Sequence, residues 1–332
     1  MESSAGDGLG HTRELILECA SRFPGAMQYV GLDSVAVTTQ SQRFAVTVDS
    51  FTVSPLFFPG GDLGKLAVCG SINDLACSGA RMTTMLWTMV LGPHLTHDDF
   101  IAVCDSAARE AAHSGIQLTG GDTKFVDVDD PRFELLIAVT GIGELRSDGL
   151  LPRLESAQPG DEIIVVGSLG DHAIAVLSAR EGLGFDRIIT SDCRALFPVA
   201  NELIEEFGEG IVGLRDLTRG GLLAAAVDLA SLSGADVVLL EAQLPISVHV
   251  RAATDMLGLD PIELANEGAL MVVVRGGRAR QVLSMLARLG EPATLVGQCE
   301  RSGAGGVVYL QSAEGLRTQQ GEPWSLGVPR LC

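Results

Sequence analysis

VTVDSFTVSPLFFPGGDLGKLAVCGSINDLACSGA, residues Val46 to Ala80, changes its hydrophobic period halfway along. Phe44, Val46 and Val48 recur every second residue, the period of a strand that delivers Asp49 to its end. Pro55 and the Pro59-Gly60-Gly61 turn break the chain. Asp62 then stands where an N-cap belongs, ahead of a run rich in Ala, Gly and Leu that reads as a helix. That helix carries Asn73 and Asp74 into its last turns and stops at Gly79. A strand-end carboxylate, a helix N-terminus and a second carboxylate suit the holding of a metal-bound polyphosphate. A capped helix beside a turn fits the same residues.

Two nucleotide motifs are excluded. A P-loop needs Gly where the chain has Pro59 and Ser or Thr where it has Leu66. Gly141-Ile-Gly143 and Gly182-Leu-Gly184 each have Arg at the third Gly position of a dinucleotide fingerprint. A nucleotide bound here is bound by another design.

Working outward, 332 residues suggest two domains of roughly 150 residues each. With 46% hydrophobic and 20% charged residues the composition is that of a soluble globular protein. No apolar run reaches the ~18 residues of a membrane span, and MESSAGDG has no signal-like character, so the expected location is cytoplasmic. A net charge of -19 argues against nucleic acid or anionic membrane as partner. It leaves ATP open, because Mg²⁺ bridges carboxylates to phosphates. Seven Cys without a CxxC pair indicate neither a disulfide framework nor a zinc site, and His94 and His97 read as surface residues. Lys65 and Lys124 are the only lysines, and both fall inside Gly-Asp-rich motifs. A lysine offers a compact charge with a tunable pKa, so both are candidate site residues.

The remaining motifs follow in chain order. A Gly-rich start leads to a helix over Arg13 to Arg22, and a strand over Trp87 to Leu91 precedes a helix from Asp98 to Ser114 ended by Gly115. A short strand from Ile116 then runs into a Gly120-Gly121 turn presenting Asp122, Thr123 and Lys124, with Asp122 and Lys124 on one side of an extended chain. Phe133 to Gly143 is a strand, and Leu150 to Gly160 links the domains. Asp161 to Gly167 reads as a buried strand, followed by Ser168-Leu-Gly-Asp-His172 entering a helix. Asp216 and Arg219 stand in LRDLTRGG before the Leu222–Leu232 helix, and Glu267 in LANEG before a strand over 271–274. Beyond Ser302 the chain turns rich in Gly, Ser and Gln and runs to Pro-Arg-Leu-Cys332. Strands and helices alternate in both halves, so the class is α/β or α+β.

Taken in order, DSFTVSPLFFPGGDLGKLAVCGSINDLACSGA, TGGDTK, GSLGDHAIAV, LRDLTRGG, LANEG and PRLC resemble the HypE family of hydrogenase maturation proteins. These carbamoyl dehydratases make the cyanide ligands of nickel–iron hydrogenase. They belong to the aminoimidazole ribonucleotide synthetase-like superfamily, with selenophosphate synthetase and thiamine-monophosphate kinase. The resemblance implies an α+β fold of two domains: an N-terminal extension (1–33), an ATP-binding N-terminal domain (34–150), a C-terminal α/β domain (151–310) and a flexible tail (311–332) ending in Cys332. It implies that a HypF-like carbamoyltransferase places a carbamoyl group on the Cys332 thiol. ATP then phosphorylates the thiocarboxamide oxygen, loss of phosphate and a proton leaves a thiocyanate, and the cyano group passes to iron on a HypC–HypD-like scaffold. Converting a poor leaving oxygen to phosphate is the chemical purpose of ATP. By family position the Mg²⁺ ligands are Asp49, Asp62, Asp74, Asp122 and Asp216, and Lys124 and Glu267 join Cys332 in catalysis. The nucleotide-contact set adds Lys65, Asn73, Gly120, Gly121, Thr123 and Arg219. The superfamily implies a homodimer with nucleotide sites near its interface.

A single helix from 62 to 74 separates its ends by about 18 Å at ~1.5 Å per residue. Asp62 and Asp74 then cannot share one metal: either the helix starts later, or they serve different ions or different chains. The family's N-terminal His-Gly-Ser-Gly-Gly segment falls on Ala5-Gly-Asp-Gly-Leu9, without the His and the last Gly. A small-molecule kinase of the same superfamily and a non-catalytic docking module remain the two rival readings.

Overall fold

In the computed structural model, which describes residues 35–38, 43–127, 130, 133–147, 149, 151–303, 305–321 and 323, the N-terminal half builds one mixed sheet. Its strands are β1 (Val35–Thr38), β2 (Arg43–Phe51), β5 (Arg81–Leu91), β6 (Gln117–Phe125) and β7 (Leu135–Glu144), in the order β1-β2-β7-β5-β6. A two-residue hairpin, β3 (Phe57–Phe58) with β4 (Gly61–Asp62), occupies the Pro-Gly turn. Strand β2 forms, but the face it buries is not the one its apolar period suggests: Ala45, Thr47 and Phe51 are buried, Phe44 and Val46 half-buried, and Val48 exposed. The expected helix over 13–22, the Gly-rich start and Cys332 lie outside the described residues.

Helix α1 (Leu63–Cys77) begins immediately after Asp62, whose side chain caps it. Thirteen of its fifteen residues are buried, all but Lys65 and Asp74. Such a helix needs cover on every side. The first sheet provides one side and α2 (His97–Ser114, ended by Gly115 in the left-handed conformation) another. A Cβ at Gly64 would lie 2.1 Å from the Val103 carbonyl oxygen. Only glycine permits α1 and α2 to approach so closely.

One expectation is corrected here. There is no Gly-Gly turn: Gly120 and Gly121 lie inside β6, opposite Leu86 and Trp87 of β5, to which β6 runs parallel. Gly121 serves this pairing, since a Cβ there would stand 2.6 Å from the Trp87 carbonyl oxygen.

The C-terminal half is a seven-stranded sheet in the order β14-β13-β10-β12-β8-β11-β9. Its strands are β8 (Glu162–Val166), β9 (Ile211–Asp216), β10 (Asp236–Leu240), β11 (Leu270–Val274), β12 (Ala293–Glu300), β13 (Val308–Gln311) and β14 (Arg317–Gln320). The helices are α3 (Asp171–Glu181), α4 (Phe197–Phe207), α5 (Gly221–Ser233), α6 (Val248–Leu257) and α7 (Ala279–Leu289). The apolar runs in β8 and β11 are continuous because both faces are covered. Ile163, Val165, Met271 and Val273 share a core with α5, and Ile164, Val166, Val272 and Val274 share one with α4 and α7. That second core also takes in Ala76 and Cys77 of α1, so the two halves meet through this helix. The sheet extends past the expected start of the tail at 311. Residues 317–320 pair with β13, and Arg317 forms an ion pair with Glu300. Among the described residues no helix is long and apolar enough to cross a membrane.

Candidate active site

Strand β9 ends on Asp216, opposite Leu270 at the start of β11, so the loop 264–269 lies at the same end of the sheet. Asn266 fixes that loop from inside: its Oδ1 accepts from the Gly170 N–H at 2.6 Å, and its Nδ2 donates to the carbonyls of Leu217 (3.1 Å) and Leu264 (2.9 Å). Glu267 follows, buried. Asp49, brought from the first sheet by β2, lies close enough for its charge to act on both carboxylates.

Crowding of like charge away from water sets the electrostatics. Burial pushes Glu267 well above the usual carboxylate range, and the charges of Asp216, Asp192 and Asp49 add to this. Asp216 is raised by burial, opposed by Arg215 and reinforced by Asp49. Asp49 is raised by burial, against the hydrogen bond from the Ser50 N–H and the charge of Arg219. Asp49, Asp216, Arg219 and Glu267 are thus linked electrostatically in one region.

Other candidates are placed elsewhere. Asp62 leaves the metal set: its Oδ1 accepts from the N–H groups of Gly64 (2.8 Å) and Lys65 (3.1 Å), and its Oδ2 from the Ser106 hydroxyl. It is a helix cap with both oxygens engaged. Asn73 leaves the nucleotide set for a similar reason. It is fully buried, donates to the carbonyls of Arg194 (3.1 Å) and Glu267 (3.3 Å), and accepts from the Leu196 N–H at 2.7 Å. Asp74 accepts from the Thr47 hydroxyl at 2.6 Å. Lys65 donates to the Gly60 carbonyl at 3.1 Å and lines a cavity of about 650 Å³ that none of Asp49, Asp216 and Glu267 lines. Gly120, Gly121, Asp122, Thr123 and Lys124 all lie on the edge strand β6. Asp49 stands opposite Val139, Val139 opposite Trp87, and Trp87 opposite Gly121. Three strand spacings of ~4.8 Å therefore place this group roughly 14 Å from Asp49 within one chain.

The five Asp residues do not form one metal cage. Among the described residues no group of three or more His, Cys, Asp or Glu is arranged to hold a metal ion. Mg²⁺ needs less than a cage, because it keeps several waters and takes one or two carboxylates plus substrate phosphates. Asp216 Oδ2 is buried and has no hydrogen-bond partner among the described residues. An orphaned carboxylate oxygen of that kind is costly unless a cation or donor arrives. Asp216 with Asp49 fits a phosphate-bound Mg²⁺.

The sequence reading missed Asp192 and Asn266. Asn266 is buried and Asp192 half-buried, and both sit in loops with partners tens of residues away. A fully buried Asn looks like any other Asn in a sequence. Asp192 is pushed up to about 6, chiefly by burial, against the hydrogen bond from the Glu267 N–H and with the charge of Asp171 adding. Because this folded value lies above the unfolded 3.8, the contribution to stability is complete below that value. It is withdrawn as pH rises to about 6. Asp192→Asn lacks this dependence. The unfolding temperature of the variant minus that of the parent should therefore rise between about pH 4 and pH 6 and level off above. A difference that stays flat across that window contradicts the assignment.

The chain matches two family models, AIR synthase related protein, N-terminal domain, over residues 31–145 and AIR synthase related protein, C-terminal domain, over residues 158–310. It is 37% identical over 307 residues to carbamoyl dehydratase HypE of Escherichia coli K12, covering 91% of this chain and 88% of that one. Among solved structures it is similar to one from a HypE–HypF complex (34% identity, TM-score 0.84, 93% of this chain and 99% of that one). It is also similar to hydrogenase maturation protein HypE in complex with ATP (33% identity, TM-score 0.81, 96% of each chain). With both halves of its fold matched and its site at the end of the second sheet, the chain belongs to the HypE family of carbamoyl dehydratases, within the AIR synthase related proteins.

Proposed function

We propose that the protein is an ATP-dependent dehydratase that converts a thiocarboxamide on Cys332 to a thiocyanate, supplying cyanide ligands for nickel–iron hydrogenase. The observation that carries this reading is the buried pair Asp216 and Glu267 beside the half-buried Asp49, with the orphaned Asp216 Oδ2. The relatives named carbamoyl dehydratase, and the HypE structure that holds ATP, agree with it.

The reaction balances without added water. The amide oxygen leaves as phosphate on the group taken from ATP, the nitrogen gives up two protons, and ADP and phosphate are released beside the nitrile. Asp49 and Asp216 would hold Mg²⁺, which neutralises phosphate charge during transfer. Arg219, whose charge acts on Asp49, would meet a phosphate oxygen. Glu267 takes a proton from the amide nitrogen, and its burial beside other carboxylates, which raises its pKa, makes it a stronger base than an exposed carboxylate.

Lys124 and Asp122 join the site only from a second copy of the chain, given their separation from Asp49. The first sheet offers the surface for it: among the described residues β6 is an edge strand, and Val48 (69%), Leu86 (38%), Leu118 (47%) and Phe125 (66%) are exposed. Exposed apolar residues beside a free strand edge suit a homodimer. A HypF-like carbamoyltransferase, in line with the HypE–HypF complex, and a HypC–HypD-like iron scaffold complete the partners, in the cytoplasm.

The reading makes ATP consumption depend on the thiol. Cys332→Ser, supplied with the carbamoyltransferase and carbamoyl phosphate, should lose its coupled ATP turnover to background. Turnover equal to the parent's would instead identify a small-molecule kinase.

A further inference from the structure

Two consecutive backbone N–H groups point at one carboxylate beside the candidate base. Asp192 Oδ1 accepts from the N–H of Glu267 at 3.0 Å, and its Oδ2 from the N–H of Gly268 at 3.0 Å. Successive N–H groups of this kind form a concave anion site, filled here by a side chain of the same protein. The opposite edge of the peptide is held too. The Glu267 carbonyl accepts from the Arg194 N–H at 3.2 Å and from Asn73 Nδ2 at 3.3 Å. Gly268 is required for the approach, since a Cβ there would lie 1.9 Å from the Asp192 carbonyl oxygen.

The segment carrying Asp192 is itself fastened at both ends. The Ser191 N–H donates to the Pro59 carbonyl at 2.8 Å, and the Leu196 N–H to Asn73 Oδ1 at 2.7 Å. Asp192 therefore cannot simply follow Glu267 if that residue shifts. The segment transmits the position of α1 to the Glu267 backbone.

We propose that Asp192 is a positioning residue for the dehydration, fixing the Glu267–Gly268 backbone so that the Glu267 carboxylate addresses the substrate nitrogen. This rests on the reading of Glu267 as the base. Asp192 itself touches neither nucleotide nor substrate. Asp192→Asn replaces one acceptor oxygen by an amide that faces an N–H donor, so at least one hydrogen bond is lost and the backbone moves. Misplacement of a reacting group by about 1 Å costs roughly 100-fold in rate.

The test uses the full chain, carbamoylated by its transferase partner, and measures kcat and the KM for ATP of four proteins: parent, Asp192→Asn, Glu267→Gln and the double variant. The expected result is a kcat for Asp192→Asn lowered about 100-fold with KM unchanged. The double variant should be no slower than Glu267→Gln alone, because Asp192 acts only through that side chain. A parental kcat for Asp192→Asn overturns the proposal. So does a double variant slowed by the product of the two single effects, or a KM that worsens in step with kcat. If Glu267→Gln keeps the parental kcat, the base reading fails and the positioning role falls with it. A slow Glu267→Gln beside a fast Asp192→Asn overturns the positioning role alone. Should thermal melting show that Asp192→Asn is unfolded, Asp192→Ser, which retains one acceptor oxygen, replaces it in the same comparison.

Discussion

Glu267→Gln should lower the rate of thiocarboxamide dehydration by about 10²–10⁴, the range that a positioned general base contributes. It should do so without loss of fold. Gln has nearly the shape of Glu, and the parent carboxylate lies buried among Asp216, Asp192 and Asp49. Removing one charge from that group relieves repulsion and desolvation together, so the unfolding temperature should hold or rise. ATP binding depends on other residues and should persist. Single-turnover conversion of carbamoylated protein, followed beside thermal melting and nucleotide affinity, separates these effects. A variant that dehydrates at the parental rate would remove Glu267 from the chemistry.

The second large effect falls on stability. Asn73→Ala should destabilise the protein by about 3–5 kcal/mol, a large part of the 5–15 kcal/mol typical of native proteins. The Asn73 side chain holds three backbone groups, the Leu196 N–H and the carbonyls of Arg194 and Glu267. Each buried polar group left without its partner costs about 1–3 kcal/mol, although the Glu267 carbonyl keeps its bond from the Arg194 N–H. Those groups belong to the second half of the chain, whereas Asn73 sits on α1 of the first. The variant should therefore loosen the junction of the two halves and slow the reaction as Glu267 loses a support. Urea denaturation measures the first consequence. A loss below about 1 kcal/mol, the worth of a single ordinary hydrogen bond, would show that the junction does not depend on Asn73.

Local sequence carried the features whose causes are local. Asp62 caps α1 because the chain behind it is helical, and Gly115 ends α2 because a left-handed residue is needed there. The continuous apolar runs in β8 and β11 likewise follow from both faces being covered. Features with distant causes were illegible. Two glycines in a row read as a turn until β5 is laid beside them, and only the carbonyl of Trp87 explains Gly121. Asn73 sits in the same motif as Asp74, but its partners lie more than 120 residues away and turn it into a structural clamp. Family position groups Asp62 with the metal ligands, whereas its carboxylate answers a demand of its own helix. Asp192 carries no sequence signal because its partners are backbone groups of residues 267 and 268, which no side-chain pattern announces.

The most direct measurement is the intact mass of the peptide bearing Cys332. The chain is first treated with the carbamoyltransferase partner and carbamoyl phosphate, then incubated with and without ATP. The dehydratase reading predicts a carbamoyl adduct on Cys332 that loses one water only when ATP is present. An adduct that forms and stays unchanged in ATP would contradict it and leave a docking module, and the absence of any adduct would point to a kinase.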